Sequence, residues 1–321
     1  MQHLDLQVIE QALQWSRAGH EVWLCTVLST FGSAPRPPGA MLVARADGAC
    51  AGSLSGGCVE EEFLNSLCQG AFRDTVSIIR YGDNDDERRR FRLPCDGILQ
   101  VLIEHRPPSQ DWFSHLEALV ATLRGQRRQV RCVDLTTGAL TLRPDQGGEA
   151  AQVKDEQVEI RIGPVLRLLL AGVSPVARIC ASFARELGCE IIACDPREEA
   201  QGVLIDGIDV QPILPSLYIA SGGCHETTAV VALTHDPRID DLALMEAVRT
   251  PAFYIGVMGS VRTSAKRAER LKRVAGLSDA EIQRIHMPIG LGLGSKTPAE
   301  IALAVVADVL RVYRGKARDE L

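Results

Sequence analysis

Several features that this 321-residue chain lacks limit what it can do. It has no uncharged apolar run of about 18 residues, which argues against a membrane-spanning helix. Its first residues, MQHLDLQVIEQALQWSRAG, carry acids and helical spacing instead of the basic, apolar and small-residue order of an export signal. The ten cysteines include no CxxC pair, so free thiols are a better interpretation than disulfides. We therefore expect a cytoplasmic protein that does not enter a membrane.

An excess of positive charge is also lacking. The formal net charge is −6 and the basic residues are scattered, which disfavours a nucleic-acid partner. The apolar share of 46% and the charged share of 24% are those of a soluble globular protein. At roughly 100–200 residues per domain, the length predicts two domains.

The first half predicts a mixed α/β domain. An amphipathic helix over residues 5–18 precedes the apolar strand EVWLCTVLST, and two short strands flank the turn dipeptide Asp47-Gly48. A helix over 58–68 and the strand GILQVLIEHRP follow. The next stretch, 109–162, predicts one helix and short strands, which we assign to the end of this domain and a connector. The predicted domains are 1–163 and 164–321.

The second half alternates strands and helices, which predicts a Rossmann-like parallel sheet. The apolar run VLRLLLAGV leads through Gly172 into a helix, and CEIIACDPR forms a second strand that ends at Asp195. In a dinucleotide-binding unit the glycine allows a tight turn, the helix start faces a phosphate and the acid meets a ribose hydroxyl. Ser174 and Ala177 stand where the second and third glycines are expected, which weakens the prediction of NAD binding.

Later strand ends carry further polar and small residues. The strand TTAVVALTHD delivers His235 and Asp236, AFYIGVMGS ends in a glycine and a serine before an arginine, and a third glycine-bearing loop precedes the helix start TPAE. We expect these loops to form one cradle for a phosphorylated ligand. Its predicted residues are Gly172, Ser174, Asp195, His235, Asp236, Gly259, Ser260 and Arg262.

Several of these residues also have purely structural explanations. His235 is equally well explained as a structural histidine held by Asp236 or Asp240. Cys224 and the histidine after it suggest a metal, but no second close pair accompanies them. Two further cysteines, Cys189 and Cys194, lie in a predicted buried strand and are expected in the core. The run Arg88-Arg89-Arg90 follows four acids and is better explained by a solvated, salt-bridged loop.

The stretch SGGCVEEEF places Cys58 in the first turn of a predicted helix, directly after Gly56 and Gly57. The unsatisfied N–H groups and the positive end of a helix favour a thiolate, whereas the three glutamates that follow oppose it. The alternative is a small residue packed against the loop.

Five motifs occur in the order in which they are found in one family. They are TVLSTFGSAPRPPGAMLV, GSLSGGCVEEEF, LTHDPRIDDLAL, YIGVMGSVRTSAKRAERL and PIGLGLGSKTPAEIALAVVADVL. In these the chain resembles the xanthine dehydrogenase accessory family, the XdhC/CoxI-type molybdenum cofactor chaperones, over nearly its whole length and least at about 108–165. It departs from the family at Ser55, which stands for the first of three glycines, at Ser174, and at Asp96 after Cys95.

The resemblance implies a chaperone that is not an enzyme. Such a protein binds the molybdenum cofactor, as molybdopterin or its cytosine dinucleotide form, and protects it. It helps a cysteine desulfurase to add the terminal sulfido ligand and delivers the product to an apoenzyme of a molybdenum hydroxylase, of the xanthine dehydrogenase or aldehyde oxidoreductase type. A cofactor nucleotidyltransferase is a further expected partner, and a homodimer is the default assembly.

The resemblance also extends the set of candidate residues. Cys58 or Cys95 would be the ligand of the metal or its dithiolene, and Arg36 and Arg262 would hold phosphate. The candidates of the first half are Ser33, Arg36, Gly56, Gly57, Cys58 and Cys95.

Two other functions are compatible with the predicted fold. An NAD(P)-dependent oxidoreductase would use the Rossmann half, but only His235 offers itself as a proton donor beside the nicotinamide. A nucleotidyltransferase that acts on the pterin would need an acidic Mg²⁺ pair, for which Asp236 and Asp240 would both have to face the cleft.

Overall fold

A computed structural model describes residues 4–31, 36–82, 98–125 and 128–318, with only the backbone at Phe31 and Cys58. The chain divides into two compact units, Leu4–Pro164 and the residues from Val165 onward. Within the described ranges no helix is long and apolar enough to cross a bilayer. Two candidates and a charged run fall outside those ranges, namely Ser33, Cys95 with the adjacent Asp96, and Arg88-Arg89-Arg90.

A five-stranded antiparallel sheet forms the larger part of the first unit, in the order β3-β2-β1-β5-β4. Its elements are α1 (Leu4–Arg17), β1 (Val22–Phe31), β2 (Met41–Ala44), β3 (Cys50–Gly52), α2 (Cys58–Cys68), β4 (Val76–Tyr81) and β5 (Ile98–Arg106). Helix α1 packs closely on the sheet, because a Cβ atom at Gly52 would lie 2.5 Å from Val8 Cγ2. The predicted mixed α/β fold is confirmed.

The rest of the first unit is a helix and a second antiparallel sheet, in the order β7-β6-β9-β8. Its elements are α3 (Gln110–Arg124), β6 (Gln129–Asp134), β7 (Leu140–Pro144), β8 (Ala151–Lys154) and β9 (Gln157–Ile162). Part of this stretch is predicted from the sequence to be a connector, whereas the four strands form a sheet of their own. Short, half-polar strands gave too weak an alternation to reveal their pairing.

A buried ionic cluster joins the two sheets of the first unit. Glu104 on β5 accepts hydrogen bonds from Arg131 on β6 at 2.7 and 2.8 Å and from Arg106 at 2.6 Å. Arg131 also donates from Nε to Nε2 of His115 at 2.9 Å, so this ring is neutral. Burial and the positive charge of Arg131 lower the pKa of His115 to about 3.

The second unit is built on a parallel sheet in the order β11-β10-β14-β15-β16, which confirms the predicted Rossmann-like fold. Its strands are β10 (Arg167–Ala171), β11 (Glu190–Cys194), β12 (Leu204–Ile205), β13 (Ile208–Asp209), β14 (Thr228–Ala232), β15 (Tyr254–Val257) and β16 (Ile285–His286), of which β12 and β13 form a separate hairpin. Its helices are α4 (Pro175–Glu186), α5 (Pro215–Tyr218), α6 (Pro237–Ala247), α7 (Val261–Ala275), α8 (Asp279–Gln283) and α9 (Pro298–Tyr313).

The core of the second unit lies on both faces of this sheet. Every residue of β10 and β14 is buried, as expected for parallel strands covered on both sides. Cys189 and Cys194 are buried, so their expected place in the core is confirmed. Strands β11 and β14 flank β10 on opposite sides, and this change of direction is where such sheets bind ligands at their carboxyl edge.

Candidate functional site

The loop before Cys58 is organised by one carboxylate, that of Glu60 in the first turn of α2. Its Oε1 accepts from the backbone N–H groups of Leu54, Ser55 and Gly56 at 2.8–2.9 Å, and its Oε2 accepts from Gly57 N–H at 3.0 Å. The hydroxyls of Ser53 and Ser55 donate to the same carboxylate at 2.8 and 2.5 Å. A single side chain thus fixes five consecutive residues, which we call the 53–57 loop.

Electrostatics support this arrangement. Burial raises the pKa of Glu60, but the hydrogen bonds from Ser55, Gly56 and Ser53 outweigh it and bring the pKa to about 2. Gly56 has φ +88°, a conformation that favours glycine. Ser55 donates the shortest of these hydrogen bonds through its hydroxyl. The amides of Gly56 and Gly57 are therefore engaged within the protein.

Arg36 carries a buried donor in the same unit. Its Nη2 lies 4.0 Å from Asp5 Oδ1, too far for a strong ion pair. Its Nε is buried and has no hydrogen-bond partner among the described residues. Because a buried, unsatisfied donor is costly, this guanidinium is suited to an anionic group.

The tight turn after β10 lies against the end of β14. Gly172 has φ +88°, and a Cβ atom there would lie 1.9 Å from Thr234 Cγ2, so the position requires glycine. Ser174 is the N-cap of α4, and its Oγ accepts from Ala177 N–H at 3.1 Å. The serine at the expected second glycine therefore begins the helix with its side chain.

Asp195, at the end of β11, is fully buried and paired with Arg197. Its carboxylate accepts from Nε and Nη2 of Arg197 at 2.9 and 2.6 Å, from the backbone N–H of Arg197 at 3.0 Å, and from Val173 N–H at 2.7 Å. Burial opposes ionisation, but these bonds hold the pKa of Asp195 below its ordinary value. Asp195 was predicted from the sequence and Arg197 was not, although an arginine two positions after the acid could have been recognised as its ion-pair partner.

His235 and Asp236 follow β14. His235 is exposed and has φ +67°, an uncommon conformation for a residue other than glycine, and its backbone N–H donates to Asp240 Oδ2 at 3.1 Å. Asp236 is the N-cap of α6 and pairs with Arg238. Asp240 is buried and accepts from Thr234 Oγ1 at 2.7 Å.

Asp240 also belongs to a network of ion pairs between α6 and α7. Arg267 lies 3.5 Å from Asp240 and 2.9 Å from Asp241, and Arg270 donates to Asp241 at 2.6 Å. The carboxylates of Asp236 and Asp240 are thus engaged by different protein partners, Arg238 for the first and Thr234 with Arg267 for the second. Over residues 4–31, 36–82, 98–125 and 128–318 no cluster of three or more His, Cys, Asp or Glu side chains is placed to hold a metal ion.

The remaining predicted residues lie at the start of α7. Ser260 is its N-cap and accepts from Thr263 N–H at 3.2 Å, while Gly259 precedes it and Arg262 is exposed. The third loop, before α9, is held by Glu300, which accepts from the backbone N–H groups of Lys296 and Thr297 at 2.7 and 3.0 Å. Since β10, β14 and β15 are parallel, the loops after them share the carboxyl edge of the sheet.

Two family models match separate parts of the chain. Residues 168–309 match the family described as the XdhC Rossmann domain, and residues 15–82 match the XdhC and CoxI family. The two matches together cover more than half of the chain.

Similar proteins align with almost the full length of the chain. The chain is 28% identical to the molybdenum cofactor insertion chaperone PaoD of Escherichia coli, over 97% of this chain and 90% of that protein. It is 25% identical to a probable xanthine dehydrogenase subunit of Bacillus subtilis, over 92% of this chain and 94% of that protein. A crystal structure described as a xanthine dehydrogenase from Bacillus halodurans has the same fold, with a TM-score of 0.73 at 20% identity over 100% of this chain and 98% of that one.

Proposed function

We propose that this chain, which belongs to the XdhC and CoxI family, is a maturation factor that binds the molybdenum cofactor and inserts it into the apoenzyme of a molybdenum hydroxylase. The observation that carries the proposal is the similarity to PaoD, whose name states cofactor insertion, over 97% of the chain. In this proposal the protein handles the cofactor as cargo and is not itself a catalyst.

The donors of the first unit are compatible with such a cargo. Cys58 is a soft ligand of the kind that binds molybdenum or a dithiolene, and it follows a loop whose backbone is fixed by Glu60. Arg36 offers a charged donor with an unsatisfied Nε, suited to the phosphate of the pterin tail. Because Glu60 already uses the amides of Gly56 and Gly57, we assign phosphate binding to side chains and not to these amides.

The remaining roles follow from the family. We propose that a cysteine desulfurase supplies the terminal sulfido ligand while the cofactor is bound, and that the client is of the xanthine dehydrogenase or aldehyde oxidoreductase type. Ser33 and Cys95 stay candidates for cofactor contact, as do Gly259, Ser260 and Arg262 in the second unit. A homodimer, a cytoplasmic location, contact with a nucleotidyltransferase and a domain boundary at 163–164 also stay predictions.

The experiment is cofactor retention through gel filtration. The protein is mixed with molybdopterin, or with its cytosine dinucleotide form, and NADH serves as the competing ligand. We expect retention of a pterin form, and we expect Cys58→Ser to weaken it by roughly tenfold or more. Cys68→Ser is the matched control, because Cys68 is an exposed cysteine at the other end of the same helix.

One result would contradict the proposed function, and another would remove Cys58 from it. Micromolar binding of NADH without binding of either pterin form would favour the oxidoreductase alternative. Unchanged retention and unchanged maturation of a client enzyme by Cys58→Ser would leave Cys58 as a packing residue, while the chaperone function itself would stand.

A further inference from the structure

The carboxylate of Asp195 has no capacity left for a ligand. A carboxylate offers about four lone-pair positions to donors. Four N–H donors occupy them here, three from Arg197 and one from Val173, all within 3.0 Å. In a dinucleotide-binding unit the acid at this strand end must accept from ribose hydroxyls. That acceptor is already satisfied by the protein's own side chain and backbone.

Arg197 also ties the strand end to the turn that would face a pyrophosphate. Its Nη2 donates to the backbone carbonyl of Val173 at 2.8 Å in addition to Asp195. Ser174 occupies the position at which a glycine would let the pyrophosphate approach the backbone. Both features lie at the same turn, between β10 and α4.

We propose that Arg197 is a specificity-determining residue, which closes the ribose subsite of this βαβ unit by saturating Asp195 and thereby excludes NAD(H). The proposal concerns the second unit alone and goes beyond the cofactor-handling function proposed above. It predicts that this Rossmann-like unit does not bind an abundant cellular dinucleotide. A ribose of any cofactor form must then be recognised by groups other than Asp195.

The test is a calorimetric titration of the full-length protein with NADH, without molybdenum cofactor. We expect no saturable binding at millimolar NADH for the natural protein. Arg197→Ala returns acceptor positions to Asp195, and we expect its affinity for NADH to exceed that of the natural protein by about tenfold or more, as for one regained hydrogen bond to a charged group. Arg185→Ala is the matched control, because it removes another arginine of the same unit, from α4, where its partner is Asp206.

A second variant keeps the proposal testable if Arg197→Ala does not fold. Arg197→Ala leaves a buried carboxylate with fewer donors, so Asp195→Asn combined with Arg197→Ala removes the charge and keeps an oxygen that can accept from ribose. We expect this double variant to fold, by circular dichroism, and to gain NADH binding as well.

Three outcomes would overturn the proposal. One is NADH binding by the natural protein that is as tight as binding by Arg197→Ala. Another is a failure of every folded Arg197 variant to gain binding. The third is tight binding of NADPH by the natural protein, which would mean that Arg197 receives a 2′-phosphate instead of closing the subsite.

Discussion

Glu60 is the residue whose replacement tests the organisation of the 53–57 loop most directly. Glu60→Gln keeps the size of the side chain but replaces one carboxylate oxygen with an NH₂ group, which cannot accept hydrogen bonds. Whichever oxygen is lost, at least one backbone N–H and one serine hydroxyl lose their acceptor. We therefore expect the loop to rearrange and the first unit to lose stability.

The magnitude follows from the pKa of Glu60. A fall from its ordinary 4.5 to about 2 corresponds to about 3 kcal/mol of preferential stabilisation of the charged form. The side chain is only half-buried, and solvent screening reduces this to about 1–2 kcal/mol. Glu61→Gln is the matched control, since Glu61 is exposed in the same helical turn, and its replacement should change the free energy of unfolding by less than about 0.5 kcal/mol.

Tryptophan fluorescence in urea is a suitable assay, because all three tryptophans, Trp15, Trp23 and Trp112, lie in the first unit. The difference in the free energy of unfolding between the natural protein and Glu60→Gln should have its full value at neutral pH. Because folding lowers the pKa of Glu60, this difference is present above about pH 4.5 and is lost as the pH falls towards about 2.

Two results would refute the reasoning. Equal midpoints for Glu60→Gln and Glu61→Gln at neutral pH would mean that the carboxylate does not hold the loop. A difference that persisted unchanged in acid would mean that the loss comes from shape and not from charge.

Three further predictions concern the two cores. Glu104→Gln should lower the free energy of unfolding by about 3–5 kcal/mol in the same fluorescence assay, since it leaves buried arginines without their full partner. Glu117→Gln, which breaks an exposed ion pair with Arg17, should lower it by less than about 1 kcal/mol, and equal effects would contradict this prediction. Gly172→Ala should destabilise the second unit by calorimetry well beyond Gly276→Ala, which shares a positive φ but has open space around it, and similar losses would discount the contact with Thr234. Burial raises the pKa of four thiols to about 11 or 12, namely those of Cys180, Cys189, Cys194 and Cys224. Iodoacetamide at about pH 8 should therefore leave them unmodified in the folded protein and alkylate them only after unfolding, as measured by mass spectrometry.

The fold could be predicted well where one pattern dominates. Continuous apolar runs such as that of β10, and the N-cap and proline that begin α9, are local signals with strong physical causes. The pairing of the short predicted strands into a four-stranded sheet could not be predicted, because half-polar strands give a weak alternation. The contact between the two sheets could not be predicted either, because Glu104 and Arg131 are far apart in the sequence.

The places of five candidate residues of the second unit could be predicted, but their hydrogen-bond partners could not. Gly172, Ser174, Asp195, His235 and Asp236 do follow neighbouring parallel strands, as their places at strand ends indicated. Their hydrogen-bond partners, such as Arg197 for Asp195 and Asp240 for the backbone N–H of His235, depend on how the folded chain brings residues together.

Internal acids have a common role at the glycine-bearing loops of both units. Glu60 accepts hydrogen bonds from the backbone amides of the 53–57 loop, and Asp195 accepts one from Val173 N–H at the turn after β10. Glu300 accepts hydrogen bonds from two backbone amides before α9. Glycine at such loops usually indicates amides offered to a phosphate, but here those amides already have a charged acceptor. A phosphate would have to displace a carboxylate that the same amides stabilise. Anion recognition in this protein is therefore expected to depend on arginine side chains such as Arg36, whose Nε is buried and unsatisfied within the described part of the chain.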